Sequence, residues 1–284
     1  MKRILSVQDF SCIGKCSQSI ALPVLSTMGI ECVCLPTALL SSHTVFDGFF
    51  SRDLTEYFSA ITSHWKQMDL RFHVLYTGYL GSVEQVDLVQ RLMDDFPPAD
   101  GLSFVDPVMA DHGQLYAGFS PEFPEKMREL CRKADIITPN ITEACLLTGL
   151  PYRERQDEEY VLALLRELLS LGVKTAILTG IRTDTEHMGV AAMNRDGSYS
   201  RLFTKYVPSV FHGTGDLFAS TCVGALARGC STADAIALAA DYVAKTVSYT
   251  AKDPDSRWYG VSFEKTLPYL MSRLDELLPK EVSV

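Results

Sequence analysis

No apolar run in this 284-residue chain reaches the roughly 18 residues that a membrane-spanning helix needs. There is no extended cluster of Lys and Arg either. The 26 basic residues are outnumbered by 35 acidic ones, giving a formal net charge of −9, which weighs against tracking a nucleic-acid backbone. The six histidines show no metal-binding or triad spacing. Cys12-x₃-Cys16 and Cys32-x-Cys34 do not match zinc ligand spacings, and the eight cysteines suggest no disulfide framework in a chain this long. They read as buried, reduced thiols of a cytoplasmic protein. There is no G-x-S-x-G elbow, and the first strand–helix turn lacks G-x-G-x-x-G, which argues against a dinucleotide fold. Gly14-Lys15-Cys16-Ser17 imitates a Walker A loop, but Asp9 stands where Gly is required and Cys16 where Ser or Thr is required. Polar Gln8 and Asp9 interrupt the apolar start, so Met1 to Leu5 leads into a first strand rather than forming a signal peptide. Linkers, repeats and low-complexity segments are absent, which predicts one domain over 1–284.

What is present is ordinary globular composition, 47% hydrophobic and 21% charged. Short continuous apolar runs alternate with helical stripes almost throughout. The runs are 4–7, 32–35 (ended by Pro36), 74–76, 102–105, 136–137 and 176–178. Helices are expected from Ile20 to Met28, Leu54 to Trp65, Val83 to Leu92 and Phe123 to Cys131. Further helices are expected over 140–148, 157–171, 214–228, 232–250 and 262–278. A hairpin joins 188–193 to 199–204 around Asp196-Gly197. Gly113 and Gly118 mark 110–120 as a mobile loop. Continuous apolar strands have both faces covered, so the pattern predicts an α/β three-layer sandwich around a mostly parallel sheet with an antiparallel edge.

Ligands bind such sheets beyond the carboxyl ends of the strands. The unusual polar residues fall there: Asp9, Gly78-Tyr79, Asp106, Asn140 with Glu143, and Thr179-Gly180. The stretch beginning at Val210 carries Gly213-Thr214-Gly215-Asp216 and runs into an apolar helix. Its glycines permit close backbone approach, and the unpaired N–H groups and dipole of the helix end favour an anion. An acid there suits proton abstraction from an attacking hydroxyl, although Thr214 or Asp216 could equally cap the helix. Asp106-Pro107 is compatible with a turn or with a carboxylate ligand for Mg²⁺, and Asn140-x-x-Glu143 with a capping box or a contact to metal-bound water.

Gly-Thr-Gly-Asp, Thr138-Pro139-Asn140-x-x-Glu143 and Asp106-Pro107-Val108-Met109 together resemble the ribokinase superfamily. Thr77-Gly78-Tyr79-Leu80-Gly81-Ser82 and Ser42-His43-Thr44 resemble its pyridoxal kinase family, from Ile4 to about Thr250. That resemblance implies ATP-dependent phosphorylation of the 5′-hydroxymethyl group of pyridoxal, pyridoxine or pyridoxamine. It also implies Mg²⁺, often a monovalent cation such as K⁺, and typically a cytoplasmic homodimer. By the resemblance Asp216 is the base, and Gly213, Thr214 and Gly215 form the anion hole. Asp106 and Glu143 hold hydrated Mg²⁺, while Thr138, Asn140 and Thr179 line the phosphate path. His43, Thr44 and Tyr79 meet the pyridine, and the 110–120 loop closes over ATP. One departure stands out. Family members usually read Gln-Ser-His after the first strand, and this chain reads Gln8-Asp9-Phe10. A carboxylate there could pair with an amine, which points to pyridoxamine. The alternatives are a hydroxymethylpyrimidine kinase and a catalytically idle protein that binds nucleotide or vitamin B6.

Overall fold

The computed structural model describes residues 1–99, 101–208 and 211–278; Val210 lies outside them. Its strands are β1 (Arg3–Ser11), β2 (Glu31–Leu40), β3 (Ser51–Asp53), β4 (Val74–Thr77), β5 (Leu102–Val105), β6 (Ala110–Asp111), β7 (Gln114–Leu115), β8 (Ile136–Ile137), β9 (Thr175–Ile181), β10 (His187–Asn194) and β11 (Tyr199–Lys205). The helices are α1 (Gln18–Thr27), α2 (Phe58–Gln67), α3 (Val83–Asp95), α4 (Phe123–Arg132), α5 (Ile141–Thr148), α6 (Glu158–Ser170), α7 (Thr214–Ala227), α8 (Thr232–Thr250) and α9 (Leu267–Leu277). Among the described residues, nine strands form one sheet in the order β11-β10-β9-β8-β5-β4-β1-β2-β3. The six strands from β9 to β2 run parallel.

Successive residues of a strand face opposite sides of the sheet, and both sides here are apolar. Leu5, Val7 and Leu75 pack into one core with α2 to α6. Ile4, Val74 and Tyr76 pack into a second core with α1, α7, α8 and α9. The three-layer sandwich expected from the continuous apolar runs is therefore present. Buried Tyr76 packs edge-on against Phe104, ring centroids 5.7 Å apart, and its hydroxyl lies 3.4 Å from Ser220 Oγ on α7. That contact seats α7 over the centre of the sheet, with its N-terminus at the carboxyl ends of β1 and β4.

The structure adds to three of these expectations. The sheet is antiparallel at both edges: β10 and β11 close one side, and β3 pairs antiparallel with Ala38–Leu40 on the other. Pro36 does not end β2, which continues to Leu40. Proline is tolerated there because β3 joins only at Ala38, leaving the first half of β2 an edge strand. Within 110–120, read from the sequence as a mobile loop, the first six residues form a hairpin. Ala110–Asp111 pairs with Gln114–Leu115 through a two-residue turn at His112-Gly113, both at positive φ, the conformation a tight hairpin requires. The hairpin is tied to α5 by Gly113 N–H donating to Thr142 Oγ1 at 2.9 Å.

Candidate active site

Gly213 is the N-cap of α7, in the left-handed region at φ 82. A Cβ there would lie 1.9 Å from the Lys15 carbonyl oxygen and 2.7 Å from Ile20 Cδ1. Only glycine lets the helix end approach the turn before α1 so closely. Two residues on, a Cβ at Gly215 would meet no atom within 4 Å, so this face of the helix end is open. The first N–H groups of α7 have no intrahelical acceptor and point their partial positive charge outward.

Asp216, in that first turn, is half-buried. Its pKa is pushed up to about 7, chiefly by burial; the facing Ser17 backbone N–H opposes that rise and the Asp9 carboxyl adds to it. Asp9 does not follow β1 as expected. It lies within the strand, at an irregularity in pairing with β2 between Gln8 and Phe10, and is buried. Its Oδ1 accepts Ser17 Oγ at 2.5 Å and its Oδ2 accepts Ser11 Oγ at 3.4 Å. Neighbouring Lys15 pairs instead with Glu264 at 2.7 Å.

Asp106 follows β5 and is buried; its N–H donates to the Thr77 carbonyl at 3.0 Å. Burial, Glu143 and Asp216 push its pKa well above the ordinary carboxylate value. Glu143 sits in a complete capping box. Its N–H donates to Asn140 Oδ1 at 3.0 Å, while its Oε2 accepts the Asn140 N–H at 2.9 Å. Its Oε1 accepts the Met109 N–H at 3.1 Å, and the Ala110 N–H faces the same carboxyl. Burial raises its pKa to about 8 despite these donors. Asp106, Glu143 and Asp216 thus form an acidic group whose excess negative charge suits a hard cation. Among the described residues no three His, Cys, Asp or Glu side chains form a ready cage for a metal. Mg²⁺ normally takes only one or two carboxylates and keeps waters and phosphate oxygens, so the donor chemistry fits it with Asp106 as the freer ligand.

Asn140 bridges in parallel to Thr179, whose N–H donates to the Pro139 carbonyl at 3.0 Å; both residues are half-buried. The Asn140 side chain donates to the Ala110 carbonyl at 2.8 Å, fastening the 110–115 hairpin to the same corner. Thr138 is buried beside Asp106, whose charged form it favours, and its Oγ1 makes no well-formed hydrogen bond among the described residues. On the far side of Asp216, the His43 ring lies 4.8 Å from the ring of His212, the residue before Gly213. His43 Nδ1 accepts the Val45 N–H at 3.0 Å, which fixes the proton of the neutral ring on Nε2. Burial and His212 lower its pKa, favouring that neutral ring. Tyr79 is half-buried, feels the Asp9 charge, and packs against Phe119 with centroids 5.6 Å apart. Thr44 is exposed.

The carboxylates, the helix end and the Thr138–Asn140–Thr179 corner therefore converge at the carboxyl edge of the sheet. Sequence reasoning passed over Ser17, His212 and Tyr116. Tyr116 feels the charges of Glu143, Asp106 and Asp216. No local motif marks Ser17 or Tyr116, which only tertiary packing brings to the acids, whereas His212 lies in sequence beside the Gly213–Asp216 stretch and meets His43.

The family model for phosphomethylpyrimidine kinase matches residues 26–256 of the chain. A pyridoxal kinase of Aliivibrio fischeri is 31% identical over 266 residues, 83% of this chain and 84% of that protein. A candidate phosphomethylpyrimidine kinase of Bacteroides thetaiotaomicron, solved with pyridoxal, superposes with a TM-score of 0.90 at 36% identity, covering 95% of this chain and 96% of that one. The pyridoxal kinase of Lactobacillus plantarum gives a TM-score of 0.88 at 32% identity, covering 98% and 100%.

Proposed function

The chain belongs to the phosphomethylpyrimidine kinase family and is a small-molecule kinase with the fold of the pyridoxal kinases, and on that premise we propose that it transfers the γ-phosphoryl group of ATP to the 5′-hydroxymethyl group of a vitamin B6 vitamer. The observation that carries this reading is Asp216: an acid with a pKa near neutrality at the open, positive end of a helix. A base tuned to about the working pH is at its most effective, because it is both ionised and basic enough to accept the proton.

In this reading Asp216 takes the hydroxyl proton as the oxygen attacks. The first N–H groups of α7 hold the transferring phosphoryl oxygens, which Gly215 leaves room to approach. Asp106, with Glu143 behind it, would hold hydrated Mg²⁺, which neutralises charge on the nucleotide phosphates. Thr138, Asn140 and Thr179 supply polar contacts along the phosphate path. Tyr79 and His43 flank the ring, the latter as an Nε2–H donor. The 110–115 hairpin covers the acid group and excludes water.

Preference among vitamers is the finer question. An Asp9 carboxylate can favour pyridoxamine only if it presents an oxygen to the aminomethyl group. Both oxygens accept serine hydroxyls and the residue is buried, so Asp9 is better suited to serve the protein than the amine. A second reading, hydroxymethylpyrimidine as acceptor, is favoured by the description of the matching family. A coupled ADP-release assay with the three vitamers, hydroxymethylpyrimidine and ribose separates these. The proposal expects the highest kcat/KM with a B6 vitamer. A higher value with the pyrimidine would replace it with the second reading, and no acceptor-dependent release would leave a binding protein.

A further inference from the structure

Ser17 stands between two carboxyls. Its Oγ donates to Asp9 Oδ1 at 2.5 Å, and its backbone N–H faces the Asp216 carboxyl, where it favours the charged form. Ser17 and Asp9 are each only 5% exposed, so solvent does not compete for these contacts. Ser17 precedes α1 but does not cap it through its side chain; its φ is 47 and its ψ −129, a conformation a residue with a Cβ rarely adopts. Such a backbone persists only where its surroundings over-determine it. Here the determinant is visible. Asp9 stands opposite an extra residue of β2, between the Gln8–Pro36 and Phe10–Leu39 pairs, and from that irregular stretch its carboxyl meets the Ser17 hydroxyl. A hydroxyl given to a carboxylate is among the stronger hydrogen bonds. The turn holding Ser17 also presses the Lys15 carbonyl against Gly213, so one short segment contacts both the helix end and the acid.

We propose that Asp9 is a positioning residue: by anchoring the Ser17 hydroxyl it fixes the Ser17 N–H on Asp216 and so aims the base at the substrate hydroxyl. This rests on the reading of Asp216 as the base. Asp9 does not touch the substrate; it acts through Ser17 on a group that does.

The test is steady-state kinetics of Asp9→Asn, Ser17→Ala, the double variant and Asp216→Asn, each with pyridoxal, pyridoxine and pyridoxamine. Asp9→Asn keeps the shape but replaces a charge-assisted bond with a neutral one. It should lower kcat about tenfold for all three vitamers, the equivalent of roughly one good hydrogen bond. Each KM should stay within about twofold, because a uniform loss in kcat marks an interaction used in the transition state. Ser17→Ala should match it, and the double variant should fall no further than the poorer single, since both break one chain of contacts. An unchanged kcat, a KM change confined to one vitamer, or additive losses would each overturn the proposal. Should Asp9→Asn not fold by circular dichroism, Ser17→Ala, with Asp9 intact, decides by the same kcat and KM criterion. Full activity of Asp216→Asn would remove the base reading itself. Loss of activity there with a neutral Asp9→Asn would remove only the positioning role.

Discussion

The carbonyl oxygen of Lys15 lies so close to the α-carbon of Gly213 that a Cβ on the glycine would stand 1.9 Å from it. Backbone meets backbone, and no side chain can swing aside to make room. Gly213→Ala should therefore destabilise the protein by about 1–3 kcal/mol from overpacking, with left-handed strain adding to it. It should also displace the helix end and abolish most turnover. Gly215→Ala is the contrast. Its Cβ meets no protein atom, so the melting temperature should hold, while kcat falls about tenfold or more because the methyl group intrudes on the anion site. Thermal melts and kcat for the two variants check the pair; equal loss of stability in both would contradict the assignment.

Glu143 holds two segments at once, Asn140 through Oε2 and Met109 through Oε1. Glu143→Gln retains one acceptor oxygen and places an NH₂ against a backbone donor. The expected result is a loss of about 1–3 kcal/mol of stability together with a rise in the Mg²⁺ concentration needed for half-maximal rate. A lower melting temperature with an unchanged Mg²⁺ titration would reduce Glu143 to a structural cap.

The acid group also sets a pH dependence. The folded pKa values of Glu143 and Asp216, about 8 and about 7, lie above their ordinary values of 4.5 and 3.8. The folded state thus holds these protons more tightly than the unfolded state. Their contribution is fully present below about pH 4 and is lost as pH rises through 7 to 8. In chelator, the melting temperature of the parent should decline over that window more steeply than that of Asp216→Asn. Added Mg²⁺ should flatten the decline. Identical slopes in parent and variant would show that Asp216 is not a source of it.

The parts legible in the sequence are those whose chemistry is local. Asn140-x-x-Glu143 is a capping box because the two side chains reach each other within one helical turn, and the structure has both bonds. Gly213 to Asp216 is readable because a glycine N-cap and a first-turn acid are neighbours in sequence. Continuous apolar strands announced a sheet covered on both faces, as the two cores require. The parts that escaped depend on distant partners. Nothing near Ser17 shows that it will link Asp9 to Asp216, and a lone serine before a helix reads as a cap. β3 is three exposed residues without an apolar pattern, paired only because β2 offers an edge. The 110–115 hairpin hid behind glycine, since His112 supplies the second positive φ that a sequence does not advertise.

The account stands most directly on the proton taken by Asp216. The measurement is kcat for phosphorylation of pyridoxal at saturating ATP and Mg²⁺, across pH 5 to 9, in the parent and in Asp216→Asn. The parent should gain rate as pH rises through about 7, where Asp216 ionises, and then level off. The variant should lose that limb and run about 10²–10⁴-fold slower at the plateau, the usual contribution of a positioned base. A variant within a few-fold of the parent, or one that keeps the same rise near neutrality, would contradict the assignment of Asp216 as the base.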